Sequence, residues 1–226
     1  MKKFAIFAAL AAATALSAPA HAGSADGKWQ VKVLGTAVLP DGKVTGLPTK
    51  NLTVVPSASI DTKANDNYVP TLAVEYFATP NVSIETICCF TQHHVSGAGG
   101  IAGTDIVQHV LILPATVTVK LHLDAGAIKP YIGAGVTDFF VFGEKPGATA
   151  IALGASSVKM SNAFGGVLQA GVDVPLGKDG LGLSLDAKRY FVRPTAHFYS
   201  AAGAEVLTTE HQLDPWVLSA GVSYRF

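Results

Sequence analysis

The sequence predicts an all-β chain: an eight-stranded antiparallel up-and-down transmembrane β-barrel. Three observations lead there. First, the chain is apolar overall, with a mean hydropathy of +0.37 and only 14% charged residues. Yet nothing after Ala22 approaches the roughly 18 consecutive apolar residues that a spanning helix needs. A closed barrel resolves that conflict, because its backbone groups pair strand to strand and no edge meets lipid. Second, the final segment, Trp216 to Phe226, alternates: Trp216, Leu218, Ala220, Val222, Tyr224 and Phe226 are apolar, and Ser219, Gly221, Ser223 and Arg225 are small or polar. Period two gives a strand one greasy face and one wet face, and aromatics at both ends of the greasy face match membrane girdles. Third, the connections alternate between long and short, as they must when short periplasmic turns oppose long outer loops.

Residues 1–22 read as a secretory signal peptide rather than fold. Lys2 and Lys3 supply the basic start, Phe4 to Leu16 the apolar stretch, and Ala20-His21-Ala22 the cleavage site. Residues 23–226 are then the barrel domain. Removing the two leader lysines leaves 14 basic against 16 acidic side chains, about −2, which gives nucleic acid no electrostatic footing.

The strand segments follow in order. Trp29 to Val38 sets Trp29, Val31, Val33 and Ala37 against Lys28, Gln30, Lys32 and Thr36. Pro70 to Phe77 sets Leu72, Val74 and Tyr76 against Ala73 and Glu75. Asn81 to Phe90 sets Val82, Ile84, Cys88 and Phe90 against Ser83 and Glu85. Val110 to Leu123 ends with Val117, Val119, Leu121 and Leu123 opposite Thr116, Thr118, Lys120 and His122. Pro130 to Phe142 is apolar and Gly-rich on both faces, so its inside is unassigned. Phe164 to Val174 sets Leu168, Ala170, Val172 and Val174 against Gln169, Gly171 and Asp173. Leu181 to Val192 sets Leu183, Leu185 and Ala187 against Ser184, Asp186 and Lys188. The closing strand begins near Gln212.

The short connections are Ala78 to Asn81, Asp124 to Lys129 and Pro175 to Gly180, each carrying turn formers. The long ones span roughly Leu39–Val69, Thr91–His109, Gly143–Ala163 and Arg193–His211, and Ala155 to Met160 is a candidate helical turn within the third.

Three stretches, in order, resemble the outer-membrane protein W family of small eight-stranded barrels. They are Leu72-Ala73-Val74-Glu75-Tyr76-Phe77-Ala78-Thr79-Pro80-Asn81-Val82-Ser83-Ile84-Glu85, Lys129-Pro130-Tyr131-Ile132-Gly133-Ala134-Gly135-Val136, and Leu213-Asp214-Pro215-Trp216-Val217 running to Tyr224-Arg225-Phe226. Gly171-Val172-Asp173 falls between them. The resemblance implies location in the outer membrane and a narrow, largely hydrophobic channel that passes or binds small apolar molecules. It brings no catalytic motif.

Candidate functional residues follow from the inward faces. Lys28, Lys32, Glu75, Glu85, Lys120, Asp173, Asp186, Lys188 and Arg225 form an expected lumen charge network of five cations and four anions. An eight-stranded barrel has room for side chains or one small ligand, so these charges should pair. They serve either as a polar core or as the floor of a pocket opening outward. Phe139, Phe140, Phe142 and Leu34 are the candidate ligand contacts of the upper lumen. Gly133, Gly135 and the apolar loop Ala148 to Ala155 are placed near them, and the phenylalanines could equally face lipid.

Trp216, Tyr224 and Phe226 are read as the C-terminal signal for the barrel-assembly machinery. Other expected partners are outer-membrane lipid, lipopolysaccharide and small hydrophobic ligands. Cys88 and Cys89 point to opposite faces and read as packing residues, and neither C-x-x-C nor a zinc spacing occurs. His93, His94 and His109 read as loop histidines. Ser96 beside His93 or His94 lacks a third orienting group, so no enzyme, cofactor or metal is expected. The competing reading is a structural barrel that acts through its long outer loops.

Overall fold

The computed structural model describes residues 23, 24, 26–50 and 60–226; the expected signal peptide lies outside them. Fourteen strands and one short helix form in chain order: β1 Trp29–Leu39, β2 Gly42–Lys50, β3 Ile60–Ala64, β4 Asn67–Thr79, β5 Val82–Cys88, β6 Thr91–Gly99, β7 Asp105–His122, β8 Lys129–Pro146, α1 Ala148–Ala152, β9 Ser157–Met160, β10 Ala163–Pro175, β11 Leu181–Phe191, β12 Thr195–Tyr199, β13 Glu205–Leu213 and β14 Trp216–Arg225. Eight of them close a barrel in the order β1-β4-β5-β7-β8-β10-β11-β14, with β14 returning to β1. Every neighbouring pair is antiparallel.

The seam pairs Gln30 with Arg225 and Leu39 with Trp216. The main chains of Trp29 and Phe226 exchange two hydrogen bonds, at 2.9 and 2.7 Å. Trp216, Tyr224 and Phe226 stand exposed on the outer face, with Trp29 and Tyr76 in ring contact at 4.9 Å near the same end as Tyr224. Around the wall the outward residues are mainly Leu, Ile, Val and aromatics, and the inward ones at the lower end are mainly polar or charged. Short turns join the lower strand ends. One of them places Gly126 at φ +74°, a conformation that glycine adopts without strain, with its N–H donating to Asp124 Oδ1.

The outer connections are more regular than the sequence suggested. Residues of three long loops pair into a second sheet of order β2-β13-β12-β9, and β6 extends the barrel wall along the upper part of β7 with β3 on its far side. Two boundary readings are corrected. The helical turn is Ala148–Ala152, not Ala155 to Met160, which carries the strand β9. The closing strand begins at Trp216, because Asp214-Pro215 interrupts the chain and Pro215 has no N–H to donate to a ladder. Gln212 belongs to β13 in the second sheet.

Candidate functional site: an apolar cavity above an ionic floor

The inward face of the barrel changes character along its axis. At the lower level Lys32, from β1, reaches Asp173, Glu75 and Glu85 at 3.1, 3.0 and 3.4 Å. Lys120, from β7, sits 2.9 Å from both Glu75 and Glu85. Lys188, from β11, lies 3.0 Å from Glu85 and 2.6 Å from Asp186. Neutral groups complete the network: Gln169 Nε2 donates to Glu85 and Asp186, Tyr131 O–H to Asp186, Ser184 O–H to Asp173, and His122 Nε2 lies 3.0 Å from Glu75. The Lys120 ammonium also lies 3.7 Å from the Tyr131 ring centre. The carboxylates are shared among several donors, and the whole cluster is buried inside the barrel. Such a cluster is held by mutual pairing, since each charge alone would be costly to bury.

Two of the expected network members sit elsewhere. Lys28 is exposed, because it precedes the barrel strand and lies outside the lumen. Arg225 is inward but lies on the periplasmic side of the cluster, where its Nε donates to Gly27 O at 2.6 Å and its guanidinium stacks 3.5 Å over Phe77. Without Lys28, the buried cations Lys32, Lys120, Lys188 and Arg225 number four, against the four carboxylates. Gly133 and Gly135, expected near the mouth, flank the floor instead. A Cβ at Gly133 would lie 3.1 Å from Lys120 Cγ and one at Gly135 would lie 2.0 Å from Val117 O, so glycine there makes room for the network and for β7.

Above this level the inward residues turn apolar. Leu34, Ala73, Ile87 and Cys89 form a buried cluster. Phe139 and Tyr190 meet at 5.4 Å within a larger cluster that includes Val110, Val158 and Phe198. Between them opens a cavity of about 290 Å³. Barrel residues Ile112, Phe139, Tyr190 and Val217 line its lower part, and Met160, Ala196, Phe198 and Leu207 of the second sheet line its upper part. Thr149 and Leu153, in and beside α1, contribute as well.

Of the four candidate ligand contacts, only Phe139 lines this cavity. Leu34 is buried in the neighbouring cluster, while Phe140 and Phe142 occupy the opposite face of β8, Phe142 exposed. Strand periodicity forces that split, because residues one apart cannot share a face. Sequence reasoning missed Tyr131, Gln169, Tyr190, Thr62 and His211. Gln169 lay on a strand already read with a polar face, Tyr131 on the strand whose inside was unassigned, and Thr62 and His211 lie in loop sequence with no local signal.

One place in the wall adjoining the cavity is not closed by backbone pairing. Strand β5 pairs with β7 up to Ile87↔Thr116, and β6 resumes at Thr91↔Ile112. Cys89 and Phe90 lie in the gap, outside any strand, and opposite them on β7 is Pro114, which has no N–H. On the other side β4 pairs with β5 only as far as Leu72↔Cys88, and Pro70 follows at that level. Ile87, Cys89, Thr91 and Pro114 line the cavity from within, and Phe90 is exposed on the outer face.

The OmpW family model matches residues 25–226. The chain belongs to the OmpW family. It is 30% identical over 232 residues to an uncharacterized outer-membrane protein, y4mB, of Sinorhizobium fredii, covering 98% of this chain and 93% of that one. It is 29% identical to outer membrane protein W of Escherichia coli over the full length of both. Among solved structures, OprG from Pseudomonas aeruginosa superimposes with a TM-score of 0.76 at 20% identity, covering 90% of this chain and 98% of that one. AlkL in lipid bilayers gives 0.70 at 22%, covering 93% and 95%. These likenesses fix the fold as an outer-membrane barrel of this type and the cell outer membrane as its location.

Proposed function

We propose that this barrel takes small apolar molecules from the outer surface into the cavity and releases them sideways into the membrane. The observation that carries this reading is the stacking of an apolar cavity on a solvent-excluded ionic floor. A molecule that enters from above meets aliphatic and aromatic walls, the usual lining of a small-molecule site. It cannot continue downward without separating ion pairs that are costly to break. The unpaired stretch at Cys89–Phe90, flanked by Pro70 and Pro114, is a part of the wall that can open without breaking ladder hydrogen bonds. The second sheet supplies part of the cavity's own lining, which favours a role for the long loops in enclosing ligand.

The test pairs conductance with uptake. In planar bilayers the protein should give only small, infrequent events, whereas entry of a labelled apolar compound into cells carrying it should exceed that of cells without it. Large steady ion currents would contradict a closed floor. Pro114→Ala restores a donor at the break and should slow uptake severalfold without changing the heat-modifiable mobility of the folded barrel.

A further inference from the structure

We infer that the cavity's ligand is a neutral apolar molecule carrying a single hydroxyl group, and that this hydroxyl bridges Thr62 Oγ1 and His211 Nδ1 from the cavity side. The inference rests on the cavity reading above and adds the chemical class of the occupant.

The argument begins with what the wall lacks. Among the described residues no Lys, Arg, Asp or Glu lines the cavity. A charged head would lose its hydration there and find no counter-charge in the lining itself, a heavy penalty. The wall is nevertheless not uniformly apolar. Thr62, Thr91, His93, Thr209 and His211 are among its lining residues.

Most of its polar side chains are already committed to protein partners. His93 Nδ1 lies 2.8 Å from Asn65 O, which can only accept, so that nitrogen carries the proton and Nε2 accepts from Thr91 at 2.9 Å. Thr104 O–H donates to Ile101 O, Thr149 Oγ1 accepts from Asp105 N, and Gln212 Nε2 donates to Asp214. The exception is the contact between Thr62 Oγ1 and His211 Nδ1, which is 3.4 Å long. That is beyond the usual length of a hydrogen bond. His211 Nε2 is held on its other side by Thr209 Oγ1 at 2.7 Å.

In the tautomer whose Nε2–H donates to Thr209, Nδ1 presents a lone pair and the Thr62 hydroxyl presents a hydrogen. An alcohol oxygen that approaches the pair from the cavity side satisfies both, donating its own O–H to Nδ1 and accepting from Thr62. An ether or ketone satisfies only one, and an alkane neither. His211 is suited to this because burial pushes its imidazole down to about 4, leaving it neutral near pH 7. The nearby charged group is Asp61, whose Oδ1 accepts from the Val44 and Thr62 main-chain N–H groups. Its negative charge opposes a carboxylate head.

The test is equilibrium binding of radiolabelled ligands to the full-length protein in phosphatidylcholine nanodiscs, with empty nanodiscs subtracted. The ligands are decan-1-ol, its methyl ether, decane, decanoate and decylamine. Decan-1-ol should be retained about tenfold better than decane, the worth of a hydrogen-bonded head in an apolar site, with the ether between them. Thr62→Val keeps the side-chain shape and should bring decan-1-ol down toward the ether while leaving decane unchanged, which also reports that the cavity is intact. Equal retention of decan-1-ol and decane, preference for decanoate or decylamine, or an equal loss of every ligand in Thr62→Val would each overturn the inference. Failure of all five ligands to exceed empty nanodiscs would overturn the cavity reading along with it.

Discussion

The lower and upper halves of the lumen are built on the same eight strands, yet they use opposite chemistry. Below, most inward side chains are polar and the charged ones are shared among several partners: Glu85 alone serves Lys32, Lys120, Lys188 and Gln169. Above, the same strands turn Leu34, Ile87, Ile112, Phe139 and Val217 inward. The lower half is occupied by a buried network of ion pairs. The upper half is lined by groups without strong mutual attraction and keeps open space. A closed barrel fixes strand spacing everywhere, so side-chain chemistry alone decides which part of the lumen is a plug and which is a pocket.

The largest effect should come from breaking the floor. Glu85→Ala strands three ammonium groups around a vacancy, and the loss of one partner from a buried cluster costs about 3–5 kcal/mol. Urea titration followed by the heat-modifiable gel shift should show the fall in stability, and bilayer currents should rise in frequency. Filling the upper half comes next. Ala196→Phe projects a ring into the cavity and should abolish decan-1-ol retention while the ionic floor, and so the small conductance, stays as in the parent protein.

A smaller effect separates the halves by pH. His211 has a folded-state value of about 4, below the ordinary histidine value of 6.5, so the unfolded chain binds the extra proton first. Its contribution to stability is therefore complete above about pH 6.5 and is lost as pH falls toward 4. Decan-1-ol retention should be level from pH 8 to 5 and decline near 4, where the imidazole acquires a charge that the cavity cannot solvate. The smallest effect belongs to Lys28→Ala. Because Lys28 is exposed outside the network, stability should change by less than about 0.5 kcal/mol in the same urea titration.

The contrast also explains what could be read in the sequence. Where the lumen is charged, inward and outward residues differ sharply, so Thr116 to Leu123 and Leu183 to Lys188 announced both strand and facing. Where the lumen is apolar, both faces carry the same residue types and the period-two signal disappears. Phe139 to Phe142 sits at that transition, which is why its facing was illegible and why Phe140 and Phe142 were grouped with Phe139. The barrel order and the parity of the loops were legible because turn formers and chain lengths encode them locally. The second sheet was not, since pairings such as His211 with Val44 join residues far apart in sequence and leave no local pattern.

The most direct test of an apolar pocket on a closed floor is a crystal structure of the protein grown with 10-bromodecan-1-ol, with bromine located by anomalous scattering. The account predicts one bromine site beside Phe139 and Tyr190, above an intact Lys32–Glu85–Lys120 cluster. A bromine site below that cluster, or a lumen open through it, would contradict the account.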